Sequence, residues 1–165
     1  MVKKKDIILV GVVVAVVALA VAYYLSTQSG PSTNVSTTLT IDFHSSGSPI
    51  NPGNTTTWTW DGSSWSVHTE ANLSGNSVWI FKNMPSGSDC LSQLLAAKDV
   101  AGFTVETETF PMGIKVNAIA GFVNQNGGGP GWQYYVNGIY ANKACNLYTI
   151  SKGDSVIWQY KPLAS

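Results

Sequence analysis

Two pairs of side chains in the first half of the chain have the composition of a divalent-metal site. Asp42 and His44 are two residues apart, as are His68 and Glu70, so each pair shares one face if its segment is a strand. Carboxylate and imidazole groups are metal ligands. The sequence does not place the two segments side by side, and such spacing is also typical of a solvated strand face. We therefore predict no metal site.

Acid–base and phosphate chemistry have little support in the sequence. Glu106 and Glu108 would share a strand face, where carboxylates are far more often solvated than catalytic. The chain contains no Gly-x-Ser-x-Gly, no His-Glu-x-x-His and no phosphate-binding loop. We predict no catalytic residues, and we expect that the protein is not an enzyme.

The chain has two cysteines, Cys90 and Cys145. Cys90 lies near an expected helix N-terminus, where the pKa of a thiol can fall. Both residues follow the apolar N-terminal run, so an oxidising compartment would allow a disulfide. We expect Cys90 to bond Cys145, and the alternative is two buried free thiols.

Three tryptophans surround Asp61-Gly62, a dipeptide typical of a hairpin turn. Trp58 and Trp60 share a strand face, and Trp65 lies just across the turn. Together they are a candidate aromatic surface for sugar rings or for an apolar patch on a partner. The alternative is cross-strand packing that stabilises the hairpin.

A second hairpin is predicted where Asn137-Gly138 follows an aromatic run, because both turn residues favour positive φ. Gly153-Asp154 then marks a turn before a last strand. On an alternating strand, Gln133 and Tyr135 face one way and the residues between and after them face the other. One face would be core and the other free to meet a ligand, unless the aromatic residues all pack internally.

The N-terminal 25 residues are expected to be a membrane anchor. Three lysines precede an apolar run of 19 residues, residues 7–25, and such a helix would be roughly 28 Å long, close to the thickness of a bilayer. We expect a single-pass protein at the cell membrane, with a cytoplasmic N-terminus and an extracellular C-terminal domain. The alternative is a cleaved signal peptide and a secreted protein, since Ala18-Leu19-Ala20 fits a cleavage site.

The part of the chain beyond residue 25 contains glycosylation triplets and few basic residues. Asn34, Asn54 and Asn72 each begin an N-glycosylation triplet. Beyond residue 25 the chain has six lysines, eight acidic residues and no arginine. Nucleic-acid binding normally needs clustered basic residues, so we expect no nucleic-acid partner.

The remaining chain divides into a polar stalk, residues 26–37, and one domain, residues 38–165. Ser88 is the expected cap of one soluble helix that ends near Ala97. Alternating segments predict strands at 39–43, 55–60, 64–70, 78–82, 103–110, 114–120, 146–150 and 155–160. One helix among short, mostly antiparallel strands indicates an α+β fold, preceded by the transmembrane helix.

The segment Gly131-Trp132-x-Tyr134-x-Val136-Asn137-Gly138, followed by Gly153-Asp154 and a strand with Trp158, resembles the transcobalamin-like C-terminal domain family, which is mostly of unknown function. The resemblance is good over residues 84–160 and looser over 39–82, and it implies a β-grasp-like domain. In the related cobalamin carriers this domain closes over the ligand, and an aromatic-Trp-Gln stretch lies near the contact. The resemblance thus implies binding roles for Trp132 and Gln133.

The carriers also use a large helical domain, for which this chain has no counterpart. We therefore expect no cofactor, and cobalamin only if a separately encoded helical partner completes the site. The main functional expectation is a non-catalytic cell-surface module that captures a small ligand or a segment of another surface protein on Trp132, Gln133, Tyr135 and Asn137. One alternative is a structural subunit of a surface filament or layer, self-associating through the N-terminal helix. The other is a carbohydrate-binding adhesin that uses Trp58, Trp60 and Trp65.

Overall fold

Alternating apolar side chains give the domain a central strand that buries one face. Leu39, Ile41 and Phe43 have no exposed surface, whereas Thr40 and Asp42 are partly exposed. Successive side chains of a strand point to opposite faces, so this pattern turns one whole face into core. The computed structural model describes residues 35–44, 48–127 and 129–162, all within one unit, Thr33–Ser165.

The described part of the chain forms strands, one longer helix and a short 3-10 helix, which spans Cys145–Leu147. The longer helix, α1, spans Cys90–Ala101. The strands are β1 (Val35–Asp42), β2 (Asn54–Trp60), β3 (Trp65–Ala71), β4 (Val78–Ser86), β5 (Val105–Phe110), β6 (Gly113–Ile119), β7 (Phe122–Val123), β8 (Pro130–Val136), β9 (Ile139–Tyr140) and β10 (Ser155–Pro162).

Seven of these strands form one mixed sheet, in the order β3-β2-β4-β1-β10-β8-β9. β1 pairs parallel with β10, placing Thr40 beside Ile157, and β2 pairs parallel with β4. The other pairs in this large sheet are antiparallel. β5, β6 and β7 form a separate small sheet, which is antiparallel. The first and last strands of the domain are therefore neighbours at the centre of the large sheet.

The buried face of the large sheet packs against α1 and the small sheet. Leu94 and Ala97 of α1 belong to the same apolar cluster as β1 and β10, and Gln93 Nε2 donates to Thr37 Oγ1 at 2.7 Å. At the other end, Tyr160 Oη donates to the carbonyl of Val123 at 2.9 Å. Two layers thus enclose a core that is rich in aromatic side chains.

α1 begins one residue later than the sequence predicts and continues to Ala101. Asp89, and not Ser88, is the N-cap, and its carboxylate accepts from the backbone N–H of Ser92 at 2.9 Å. Ser92 Oγ in turn accepts from the N–H of Asp89, which completes a capping box. Gly102 has φ of 72° and ends the helix.

The predicted α+β, β-grasp-like class is wrong. Strands make up 51% of the structure and there is one α-helix among the described residues, so the domain is mostly β, built on a seven-stranded mixed sheet. Alternation identifies a strand but says nothing of its partner. The sequence therefore predicts mostly antiparallel strands and gives no sign of the two parallel pairs, β1 with β10 and β2 with β4.

The predicted transmembrane helix is not found in the described part of the chain. Within the described residues, no helix is both long enough and apolar enough to cross a membrane. The expected anchor, residues 7–25, lies outside that part of the chain, as does most of the expected stalk.

The two turn predictions around the last strands are confirmed, but one predicted strand is wrong. Asn137 and Gly138 have φ of 52° and 79° and join β8 to β9. Gly153, with φ of 89°, precedes β10. The predicted strand at 146–150 is instead the end of the 3-10 helix and an isolated bridge between Asp89 and Thr149.

The predicted bond between Cys90 and Cys145 is absent: both cysteines are free and buried. The prediction rested on an expected oxidising compartment and on the presence of two cysteines. Neither gives the distance between the two sulfur atoms. Burial, and after it the neighbouring Cys145, raises the pKa of Cys90 to about 12, opposite to the fall expected at a helix N-terminus. Burial also raises the pKa of Cys145 to about 11, and its thiol donates to the carbonyl of Ile114 at 3.3 Å.

These thiols should be unreactive in the folded protein and reactive once it unfolds. At neutral pH almost no thiolate exists at a raised pKa, so N-ethylmaleimide should modify neither cysteine of the native protein. In guanidinium chloride without reductant, both should react, as read from the intact mass. Unfolded protein that takes up the reagent only after reduction would show a disulfide and contradict the structure.

Candidate functional site

A largely apolar cleft of about 840 Å³ lies between β6, the middle of β8 and the segment that follows β9. We call it the apolar cleft. Trp132, Tyr134 and Trp158 contribute from the large sheet, because β8 and β10 turn their even-numbered residues to the buried face. The other lining residues are Phe110–Val116, Gln133, Tyr140–Cys145 and Leu147.

The rim of the apolar cleft carries an unusual number of exposed apolar side chains. The exposed fractions are 43% for Phe110, 86% for Met112, 59% for Tyr140 and 57% for Leu147. These residues come from the end of β5, from the β5–β6 turn, from β9 and from the 3-10 helix. Exposed apolar residues that gather around a concavity indicate a binding surface more strongly than single scattered ones.

Hydrogen bonds hold the two walls of the apolar cleft in place. Asn146 Oδ1 accepts from the backbone N–H of Ile114 at 2.8 Å, which ties the 3-10 helix to β6. Tyr134 Oη donates to the carbonyl of Lys143 at 2.6 Å, which ties the segment after β9 to β8. Burial raises the pKa of Tyr134 above its ordinary range, so this phenol stays a neutral donor. The cleft is thus formed by the fold itself, as most small-molecule sites are.

Close contact of the walls depends on Gly113. Its φ is 123°, a conformation that side chains rarely adopt. A Cβ atom there would overlap Ala144 Cβ and lie 2.9 Å from Asn146 Oδ1. Glycine at this position therefore allows the β5–β6 turn to approach the 3-10 helix and close one end of the cleft.

The groups that line the apolar cleft suit binding better than catalysis. Among the described residues that line it there is no Asp, Glu or His. The raised pKa of Cys145 keeps its thiol protonated and therefore a poor nucleophile. What remains is apolar surface, two lysines and a few neutral donors and acceptors.

Two of the predicted ligand residues have structural roles. Trp132 is buried, and its Nε1 donates to the carbonyl of Phe122 at 2.7 Å. Asn137 holds the β8–β9 turn to the start of β10: its Nδ2 donates to Asp154 Oδ1 at 2.8 Å, and its Oδ1 accepts from the N–H of Ser155 at 2.9 Å. Of the two, Trp132 also lines the apolar cleft.

Gln133 and Tyr135 share the face of the large sheet that points away from the core, called here the open face, as the alternation implies. Gln133 is nevertheless buried, and the two side chains contact each other. Tyr135 Oη donates to Gln133 Oε1 at 3.1 Å. Lys161 Nζ lies 4.6 Å from the centroid of the Tyr135 ring, and the Tyr140 ring packs against its edge at 5.6 Å. Little of the Tyr135 ring is therefore free to stack on a ligand, whereas Gln133 also reaches the apolar cleft.

The three predicted surface tryptophans divide between core and edge. Trp58 is buried and stacks on Phe81, with centroids 4.6 Å apart and planes 9° apart. Trp60 and Trp65 are paired in register and their rings lie 5.5 Å apart beside the β2–β3 turn. Trp58 thus cannot belong to a flat aromatic surface, while the other two form a small half-buried pair.

The two His-carboxylate pairs are far apart in the sheet, because β4 and β2 lie between β1 and β3. No group of three or more His, Cys, Asp or Glu residues that could hold a metal occurs in the described part of the chain. Glu106 and Glu108 line a second, polar cleft together with Lys115 and Asn117, and Glu108 Oε2 accepts from Asn117 Nδ2 at 3.1 Å.

The glycosylation triplets have different surroundings. Asn34 lies outside the described residues. Asn54 Nδ2 donates to the carbonyl of Pro52 at 2.9 Å, and Asn72 Nδ2 donates to Thr55 Oγ1 at 3.3 Å. Glycosylation at these positions stays a prediction.

Sequence reasoning missed the residues that form the apolar cleft. Phe110, Pro111 and Met112 occupy the β5–β6 turn, where polar residues are usual, and this misplaced apolar run was the available signal. Leu147 and Asn146 gave no such signal, because the segment around them reads equally well as a strand.

A protein-family model described as "Domain of unknown function (DUF4430)" matches residues 91–162. The match covers less than half of the chain. It includes α1, the small sheet and every strand that lines the apolar cleft. The predicted resemblance is confirmed in its coarse form, since the match fits a transcobalamin-like domain. A comparison with the curated proteins gives no match.

Two solved structures match this chain at low similarity. Haptocorrin, solved in complex with Cbi, has a TM-score of 0.45 and 14% sequence identity, and the match covers 67% of this chain and 25% of the haptocorrin chain. A protein from Ruminococcus gnavus, described as a "putative metal binding protein", has a TM-score of 0.38 and 12% identity, with 67% and 98% of the two chains covered. This chain thus spans a quarter of the haptocorrin chain, and neither likeness assigns it a ligand.

Replacing Gly113 with Ala should show whether the walls of the apolar cleft are in contact. We expect Gly113→Ala to lower the free energy of unfolding by about 3 kcal/mol, through backbone strain and overlap with Ala144. Gly121 is a matched control, since its φ is 83° but its Cβ would meet nothing within 4 Å. Gly121→Ala should cost about 1 kcal/mol. Equal losses in urea unfolding of the two variants would show that the walls do not meet.

Proposed function

We propose that the protein is a non-catalytic binding module that holds a small ligand in the apolar cleft. The observation that carries the proposal is the cleft of about 840 Å³ with its rim of exposed apolar side chains. Ligand sites usually have volumes of about 300–1,000 Å³, with apolar walls and a few fixed polar groups. Binding would rest on removal of apolar surface from water, without covalent chemistry.

The apolar cleft lies on the other face of the β8–β9 hairpin from the one on which the sequence predicts the ligand. Gln133 and Tyr135 contact each other on the open face, where Lys161 covers the Tyr135 ring. Trp132 and Tyr134 face the apolar cleft, and Tyr140 of β9 forms part of its rim. The expected location outside the cytoplasm and the alternative filament and adhesin roles stay predictions, and no cofactor enters the proposal.

A charge on the rim should weaken binding of a neutral apolar probe. We expect Leu147→Asp in the full-length protein to raise the Kd for Nile red at least tenfold, because burying a leucine side chain contributes about 1.5–3 kcal/mol. Dye fluorescence during titration would measure the Kd. Leu73→Asp is the matched control, since Leu73 is fully exposed and does not line the apolar cleft.

Both variants should melt at the temperature of the original protein, since neither changes a buried residue. Any dye that binds to another apolar segment binds equally to the two variants. The difference between their Kd values therefore reports binding in the apolar cleft alone. Equal affinity of both variants for Nile red would refute the proposal.

A further inference from the structure

We propose that the ligand of the apolar cleft is an anionic amphiphile: an apolar body that carries a carboxylate or another acidic group. This inference rests on the proposed function and adds the chemical class of the ligand. It follows from the charges on the cleft walls and from one buried donor at its floor.

The charged side chains that line the apolar cleft are all basic. Lys115 lies on β6 and Lys143 on the segment after β9, so each of the two walls supplies one. No Asp or Glu is among the described residues that line the cleft. Beyond residue 25 the chain has more acidic residues than lysines, so two lysines without an acid depart from its average composition. An acidic group at the mouth would be attracted by both walls.

The two lysines differ in their acidic neighbours. The ion pair found in the described part of the chain joins Lys98 and Asp99, so Lys115 and Lys143 have no such partner there. Glu108 is opposite Lys115 in the β5–β6 register, and Glu106 and Glu108 line the polar cleft together with Lys115. Lys143 Nζ lies 5.8 Å from the centroid of the Tyr148 ring and has no acidic partner in the described part of the chain. Lys143 is thus available for a ligand anion, whereas Lys115 would be shared between the ligand and the two glutamates.

The floor of the apolar cleft contains a donor that lacks an acceptor. Trp158 is 3% exposed and stacks on Tyr134 with centroids 4.9 Å apart, which fixes its ring. Its Nε1 has no hydrogen-bond partner among the described residues. Leaving a buried donor unpaired is costly, and because this nitrogen has almost no accessible surface, an acceptor atom of a ligand would reach it only with a side-chain movement at the floor of the cleft.

The three groups define an orientation for the ligand. Its apolar body would contact Met112, Leu147 and the aromatic floor, while its acidic group would lie at the mouth beside Lys143. A cationic amphiphile would be repelled by both lysines, and a neutral one would leave them without a partner. The exposed position of the lysines implies that the preference for an acid weakens as salt is added.

A matched pair of probes tests the charge preference directly. 1-Pyrenebutyrate and 1-pyrenebutyramide have the same apolar body and differ in charge. In low salt we expect the full-length protein to bind the carboxylate about tenfold more tightly than the amide. In the double variant Lys115→Gln/Lys143→Gln, this ratio should fall below about twofold, with the affinity for the amide unchanged. Pyrene fluorescence would measure both affinities.

The double variant Lys82→Gln/Lys152→Gln is the control, because it removes the same charge from two exposed lysines outside the apolar cleft. It should keep the full preference. Loss of the preference in this control, or equal binding of both probes by the original protein, would overturn the assignment of an anionic ligand and leave the proposed function standing. If neither probe binds the original protein, the proposed function fails as well.

Discussion

The structure depends on burying aromatic side chains on a single face of a mixed sheet. Phe43, at the end of β1, packs edge-on against Trp79, Phe122 and Trp132, with ring centroids 4.6, 5.1 and 5.5 Å apart. These rings come from β4, β7 and β8, so one residue joins both sheets. Large rings contribute more burial per residue than any other side chain. The layers cannot separate without exposing this cluster.

The apolar cleft is a consequence of that packing. The parallel pairing of β1 and β10 positions Trp158, and β10 in turn pairs with β8, so that Tyr134 stacks on Trp158. β9 pairs with only the last two residues of β8, which leaves the earlier part of β8 beside β6 and the 3-10 helix. A concavity remains there, and its walls are held in place by hydrogen bonds from the side chains of Asn146 and Tyr134 to the main chain.

Local features of the fold could be predicted from sequence, and long-range ones could not. The Asn137-Gly138 turn could be predicted because both residue types favour the positive φ angles that they have in the structure. The strands of the large sheet could be predicted from the alternation of apolar and polar residues. The pairing of β1 with β10 joins residues that are far apart in the chain, and no local pattern specifies it. The cleft was missed for the same reason, since its walls come from segments that meet only after the small sheet packs on the large one.

We propose that a ligand occupies the apolar cleft and not the open face of the large sheet. Two-dimensional ¹H–¹⁵N NMR spectra of the full-length protein, recorded while 1-pyrenebutyrate is added, test it most directly. We predict shifts in the backbone amides of Met112 and Leu147 and in the indole N–H of Trp158, with Tyr135 and Trp60 unchanged. Shifts concentrated at Tyr135 or Trp60, with the indole N–H of Trp158 unmoved, would contradict the account.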